Sequence, residues 1–77
     1  MKGAITPGQC RAARALIGMD RRALVAASAV AHRTLVNFEL GASQPRAVTL
    51  NALRAALEAA GIEFLDGEGV RRGPEKN

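Results

Sequence analysis

Residues 20–41, DRRALVAASAVAHRTLVNFELG, constrain the fold more than any other stretch of the chain. They read as two short helical segments separated by one tight bend at Ala29-Val30-Ala31. Leu24, Ala27, Val30, Leu35 and Phe38 are spaced to face a common core. Asp20 is placed as an N-cap, its carboxylate accepting a free backbone N–H of the first segment. Gly41 is placed to end the second segment, where a left-handed conformation costs glycine little. A helix, a turn of three or four residues and a second helix together make a helix-turn-helix.

The flanking chain supplies a scaffold for that unit. Residues 1–5 read as a flexible arm. Thr6 caps a first helix, Pro7 takes its first position and Gln9 completes a capping box. Cys10, Ala13, Leu16 and Ile17 form its buried stripe, and Gly18 stops it. Cys10 on that stripe reads as a small core residue rather than a reactive thiol. Arg11 and Arg14 fall on the opposite face, where solvent is expected. The second helix spans about 21–28 and the third about 32–40, followed by the loop GASQPR at 41–46. A fourth helix over 47–60 carries Leu50, Leu53 and Leu57 inward, and Gly61 ends it. Beyond it the apolar period shifts toward two: Ile62 and Phe64 alternate with Glu63, and Asp66-Gly67 signals a hairpin returning through Val70 and Arg71. A lone hairpin is marginal in water, so this one must pack on the fourth helix or pair with another copy of the chain. Residues 73–77 read as a disordered tail.

The fold class expected is all-α: a compact four-to-five-helix domain over residues 6–61, with a short C-terminal β-hairpin or extended dimerisation segment at 62–72. Alanine is abundant and Phe38 and Phe64 are the only aromatic residues, which suits close-packed helices rather than a sheet. A chain of 77 residues buries about 60% of its unfolded surface and leaves little room for an enclosed substrate cavity.

The net charge of +4 is unevenly spread. Residues 1–55 hold eight basic groups against Asp20 and Glu39, a net of +6, whereas residues 56–77 hold three basic and five acidic groups, a net of −2. The basic part contains the helix-turn-helix, as a protein that neutralises phosphates requires. Arginine outnumbers lysine nine to two, which suits phosphate and base-edge contact, although a GC-rich genome gives the same skew. One cysteine excludes an intrachain disulfide, no apolar run approaches the ~20 residues needed to cross a bilayer, and no signal peptide is visible. A cytoplasmic protein is the natural expectation. The sole histidine, His32, lacks thiols or carboxylates spaced for a metal. No catalytic constellation or phosphate-cradling glycine loop is present, so the chain reads as neither an enzyme nor a cofactor binder, with no small-molecule substrate evident.

The chain resembles the Cro/phage-repressor type of DNA-binding domain, the xenobiotic-response-element family of bacterial regulators. The matching marks are Leu24, Val30, Arg33-Thr34, Leu35, Asn37-Phe38-Glu39 and Gly41, then Gln44-Pro45-Arg46, Thr49-Leu50 and the run 53–61. They cover about three quarters of the chain from Ile5-Thr6 onward, each weak alone and strong in their order and spacing. The resemblance implies a repressor-like fold whose third helix enters a DNA major groove. It also implies that His32, Arg33 and Asn37 read bases, that Arg21 grips a phosphate where the family usually has glutamine, and that the 43–46 loop forms a second phosphate clamp. Three positions depart from the family pattern. Val25 stands where alanine usually lets two helices cross, Ala29 stands at the usual turn glycine, and Ala31 stands at the usual Ser/Thr cap.

Chemistry supports the same residues. Arg33 can donate a bidentate pair to guanine, Asn37 can pair with adenine, and Val36 can touch a thymine methyl. Residues 33 and 37 lie one turn apart on one helix face. Arg21, Thr34, Ser43, Gln44 and Arg46 are the candidate phosphate contacts, with the second helix's N-terminal N–H groups beside Arg21. Glu39, one turn beyond the readers, is expected to pair with a neighbouring arginine rather than a base. The expected partners are double-stranded DNA and a second copy of the chain, and the expected role is a transcriptional regulator, a repressor. An antitoxin of a toxin–antitoxin pair, or a protein-interaction module that has lost DNA binding, are the alternatives.

Overall fold

A computed structural model describes residues 4–73. Its first helix, α1 (Pro7–Leu16), starts where local chemistry dictates. The Thr6 hydroxyl accepts from the Gln9 N–H at 3.0 Å, and the Gln9 carboxamide oxygen accepts from the Thr6 N–H at 3.0 Å. Those reciprocal bonds, with Pro7 at the first helical position, satisfy donors that the helix ladder leaves free. The second helix, α2 (Arg21–Ser28), begins on Asp20, whose carboxylate accepts from the Ala23 N–H at 2.8 Å. Then follow α3 (His32–Glu39), α4 (Ala47–Ala59) and the antiparallel strands β1 (Ile62–Phe64) and β2 (Val70–Arg72). The strands pair Ile62 with Arg72, Glu63 with Arg71 and Phe64 with Val70.

The architecture is therefore mostly helical, with four helices and a short antiparallel β-hairpin among the described residues, within the four-to-five-helix expectation and close to all-α without being strictly so. None of the described helices is long and apolar enough to cross a membrane. Cys10, Ala13, Leu24, Leu35, Phe38, Leu53 and Leu57 are essentially inaccessible and form one core with Leu50, Val30 and Ile62. Helix α2 packs on α3 and α4, α1 packs on α3, α4 and β2, and β1 packs on α4.

The structure places Ile5, Ala27, Leu16 and Gly73 differently from expectation. Ile5, assigned to a flexible arm, is 4% exposed and packs in the core just ahead of the extended Thr6 cap; residues 1–3 lie outside the described residues. Ala27 and Leu16 are exposed, since the inward faces of their short helices are filled by Leu24 and by Cys10 and Ala13. Of the segment 73–77 expected as a tail, Gly73 is bonded to the hairpin, its N–H donating to the Gly61 carbonyl at 2.6 Å, and residues 74–77 lie outside the described residues.

The hairpin is held by more than apolar contact. Gln9 is 3% exposed, and its carboxamide nitrogen donates to the carbonyls of Leu65 at 3.1 Å and Gly69 at 2.9 Å. The Thr6 hydroxyl bonds Glu68 Oε1 at 2.7 Å. Gly8 leaves the room this needs, because a Cβ there would lie 2.6 Å from that same oxygen. One capping box thus starts α1 and also grips the hairpin turn. On the other side Phe64 lies under the Arg54 guanidinium, 5.0 Å from ring centre to carbon, tying β1 to α4.

Candidate nucleic-acid interface

The turn between α2 and α3 takes its shape from two small residues. Ala29 is left-handed at φ 62° and ψ 21°, the conformation that a bend of this kind demands. Ser28 stitches the bend: its hydroxyl donates to the Leu24 carbonyl at 2.7 Å and accepts from the Val30 N–H at 3.2 Å. Val30 is then buried, and Ala31 opens α3 in extended geometry with no side-chain cap. The far end of α3 is closed by glycine. Gly41, at φ 77°, donates to the Phe38 carbonyl at 3.0 Å, and Ala42 donates to the Asn37 carbonyl at 2.8 Å.

Helix α3 thereby shows two distinct sides. Leu35, Phe38 and Glu39 face inward and are 0–1% exposed. Arg33 and Asn37, half a turn away, face outward, with Arg33 exposed and Asn37 half-buried. His32 is exposed at the first helical position, and Val36 is half-buried beside Asn37. Thr34 is half-buried in a shallow groove between the α2–α3 bend and α4. Ser43, Gln44 and Arg46 are exposed in the loop after α3, and Arg46 occupies the N-cap of α4, which has no side-chain cap.

Arg21 is placed differently. Its Nε donates to Glu39 Oε1 at 2.8 Å, and its side chain is 33% exposed. This bond sets the N-terminus of α2 against the C-terminal turn of α3. Glu39 also receives a two-pronged bond from Arg14, through Nε at 2.8 Å and Nη2 at 2.7 Å. Arg11 donates to the Glu39 backbone carbonyl. Arg14, expected in solvent, is instead largely covered, and Arg11, exposed as expected, still reaches α3, so both serve as struts between α1 and α3. A signal for them was present: apart from Asp20, Glu39 is the only acid among eight basic residues in positions 1–55. A single carboxylate in such surroundings attracts the arginines within reach.

Burial pushes the Glu39 carboxyl upward, but bonds from Arg14, Arg21 and the Cys10 thiol outweigh it and hold the group below the usual carboxylate range. The Arg14 guanidinium is raised, first by its bond to Glu39. Burial, followed by Glu39, pushes the Cys10 thiol far up, so Cys10 stays protonated in the core.

Charge is spent unevenly across the surface. Glu58 pairs with Arg54, Glu63 with Arg71, Glu68 bonds Thr6 and Asp20 caps α2. The arginine side-chain bonds to described residues come from Arg11, Arg14, Arg21, Arg54 and Arg71. Arg22, Arg33, Arg46 and Arg72 make none with the described residues, and of these Arg33 and Arg46 lie on α3 and the loop that follows it. No protein-family model matches the chain, and no curated protein matches it.

Proposed function

We propose that the chain is a sequence-specific DNA-binding transcriptional regulator, a repressor, that inserts α3 into the major groove of duplex DNA. One observation carries the reading: α3 is held firmly along one side by Leu35, Phe38 and Glu39, while Arg33 and Asn37 face outward on the other. A rigid helix with an arginine and an asparagine one turn apart matches the donor and acceptor edges of guanine and adenine. His32 and Val36 would flank these contacts. Arg21, Thr34, Ser43, Gln44 and Arg46 would hold phosphates and fix the register. A single module this small gives little affinity, so two copies on a palindromic site are expected, with half-sites about 34 Å apart.

Selection from random duplexes, followed by titration at rising salt, tests the reading. Affinity should fall steeply as salt rises, with a log–log slope of about −0.9 per phosphate neutralised. Arg33→Ala should remove roughly 1–3 kcal/mol of discrimination at one base position. Arg46→Ala should weaken all sequences alike and reduce the salt slope by about one. A chain that selects no sequence and ignores salt is not a DNA-binding protein, and the interaction-module alternative would then stand.

A further inference from the structure

The arrangement around Glu39 holds more cation than it needs. Glu39 is 0% exposed, and Arg14, itself 16% exposed, already neutralises it with a fork of two bonds. Arg21 adds a second guanidinium to the same carboxylate, through Nε alone, and remains 33% exposed. A guanidinium offers five N–H donors in a planar fork, and Nε accounts for one. Among the described residues the Arg21 Nη groups have no hydrogen-bond partner, and they stand at the first position of α2.

We propose that Glu39 is a positioning residue for Arg21: the buried carboxylate clamps Nε so that the Nη pair is presented, already oriented, to a DNA backbone phosphate. The inference rests on the DNA-binding reading above. An arginine held in this way bridges two anions, the carboxylate behind it and the phosphate in front. Its long side chain has already lost much of its rotamer freedom before DNA arrives, which lowers the entropy lost on binding. A lysine has one compact ammonium on a flexible stem and cannot hold both anions in a fixed plane. The same bond ties the phosphate contact to the end of the recognition helix, so backbone grip and base reading share one rigid frame.

The test compares Arg21→Lys, Arg21→Gln and Glu39→Gln in the full chain. Each is titrated against the duplex that the wild-type chain selects, at constant salt, with circular dichroism confirming that the variant is folded. Positioning predicts that Arg21→Lys loses about tenfold in affinity, nearly as much as Arg21→Gln, although it keeps the charge. It also predicts that Glu39→Gln binds DNA more weakly, and that it adds no further loss in the Arg21→Gln background. Simple electrostatics predicts the reverse, because removing a carboxylate near DNA should tighten binding. Arg21→Lys at wild-type affinity, or a folded Glu39→Gln that binds more tightly, overturns the proposal. Should Glu39→Gln unfold, Arg21→Lys decides alone. Wild-type chain that binds no duplex overturns the DNA reading as well. Wild-type binding with Arg33 dependence intact and Arg21→Lys neutral overturns only the positioning role.

Discussion

The face built from α1 and the hairpin and the face built from α3 and its following loop treat polar groups in opposite ways. On the first, Thr6, Gln9, Glu68, Glu63 and Arg71 are each bonded within the chain. On the second, both helix starts lack a side-chain cap, and Arg33 and Arg46 have no bond to a described residue. The difference separates two tasks. In the DNA-binding reading proposed above, internal bonding on the α1 side would keep the frame rigid, and the bonding capacity left unused on the α3 side would serve the DNA. Glu39 belongs to both, since it lies on α3 yet is gripped from α1 and α2.

Glu39 is where the two faces meet, and its loss should have the largest effect. Removing one member of a buried, hydrogen-bonded charge pair costs about 3–5 kcal/mol, so Glu39→Ala should destabilise the domain by that much in urea denaturation. Asn37→Ala, two residues away on the outward side, should stay within about 0.5 kcal/mol. Equal losses at the two positions would erase the distinction between frame and interface. Acid gives a second reading of the same site. The folded-state pKa of Glu39 lies below its unfolded value, so its stabilising contribution is complete above about pH 4.3 and is lost as pH falls through the lower, folded value. Wild-type stability should therefore drop more steeply in that acid range than the stability of Glu39→Gln.

A smaller effect is expected on the α1 and hairpin side. Gln9→Ala would strip donors from two hairpin carbonyls and the acceptor from the Thr6 N–H, at a cost of about 1–3 kcal/mol. Hydrogen exchange would locate the loss. The Leu65 and Gly73 amides, which bond Gly69 and Gly61, should exchange faster, while the amides of α3 keep their protection. Loss of protection spread evenly over hairpin and α3 would mean that the two regions open as a single unit.

How much of this was legible in the sequence depended on the range of the interaction. The Thr6 and Asp20 caps, the bend at Ala29, the Gly41 stop and the 62–72 hairpin all rest on contacts a few residues apart, and all appear where local chemistry puts them. The outward placement of Arg33 and Asn37 follows from helical period once Leu35 and Phe38 are assigned inward. The roles of Gln9 and Arg14 reach across the chain, 56–60 residues from Gln9 to the hairpin and 25 from Arg14 to Glu39. Periodicity assigns Arg14 to a polar face but is silent on what stands opposite that face. Ile5 was missed for the same reason, since its burial depends on where the extended chain before α1 lies in space.

The smallest expected effect tests the bend itself. Ala29 is exposed and left-handed, so a glycine there loses no packing and removes the crowding of Cβ against the following carbonyl, a strain of about 1–2 kcal/mol. Glycine also gains freedom in the unfolded chain, which offsets about 0.5–1 kcal/mol. Ala29→Gly should therefore stabilise the domain by up to about 1.5 kcal/mol, or raise Tm by a few degrees, read by thermal melting. Ala26→Gly is the matched control, because Ala26 is also exposed but sits inside α2 in right-handed geometry. There glycine brings only the entropic loss, so the domain should be destabilised by about 0.5–1 kcal/mol. Opposite signs at two exposed alanines three residues apart would establish that the left-handed bend persists in solution. Destabilisation at both would mean that the bend relaxes, and that α3 is less firmly aimed than the proposed DNA contact requires.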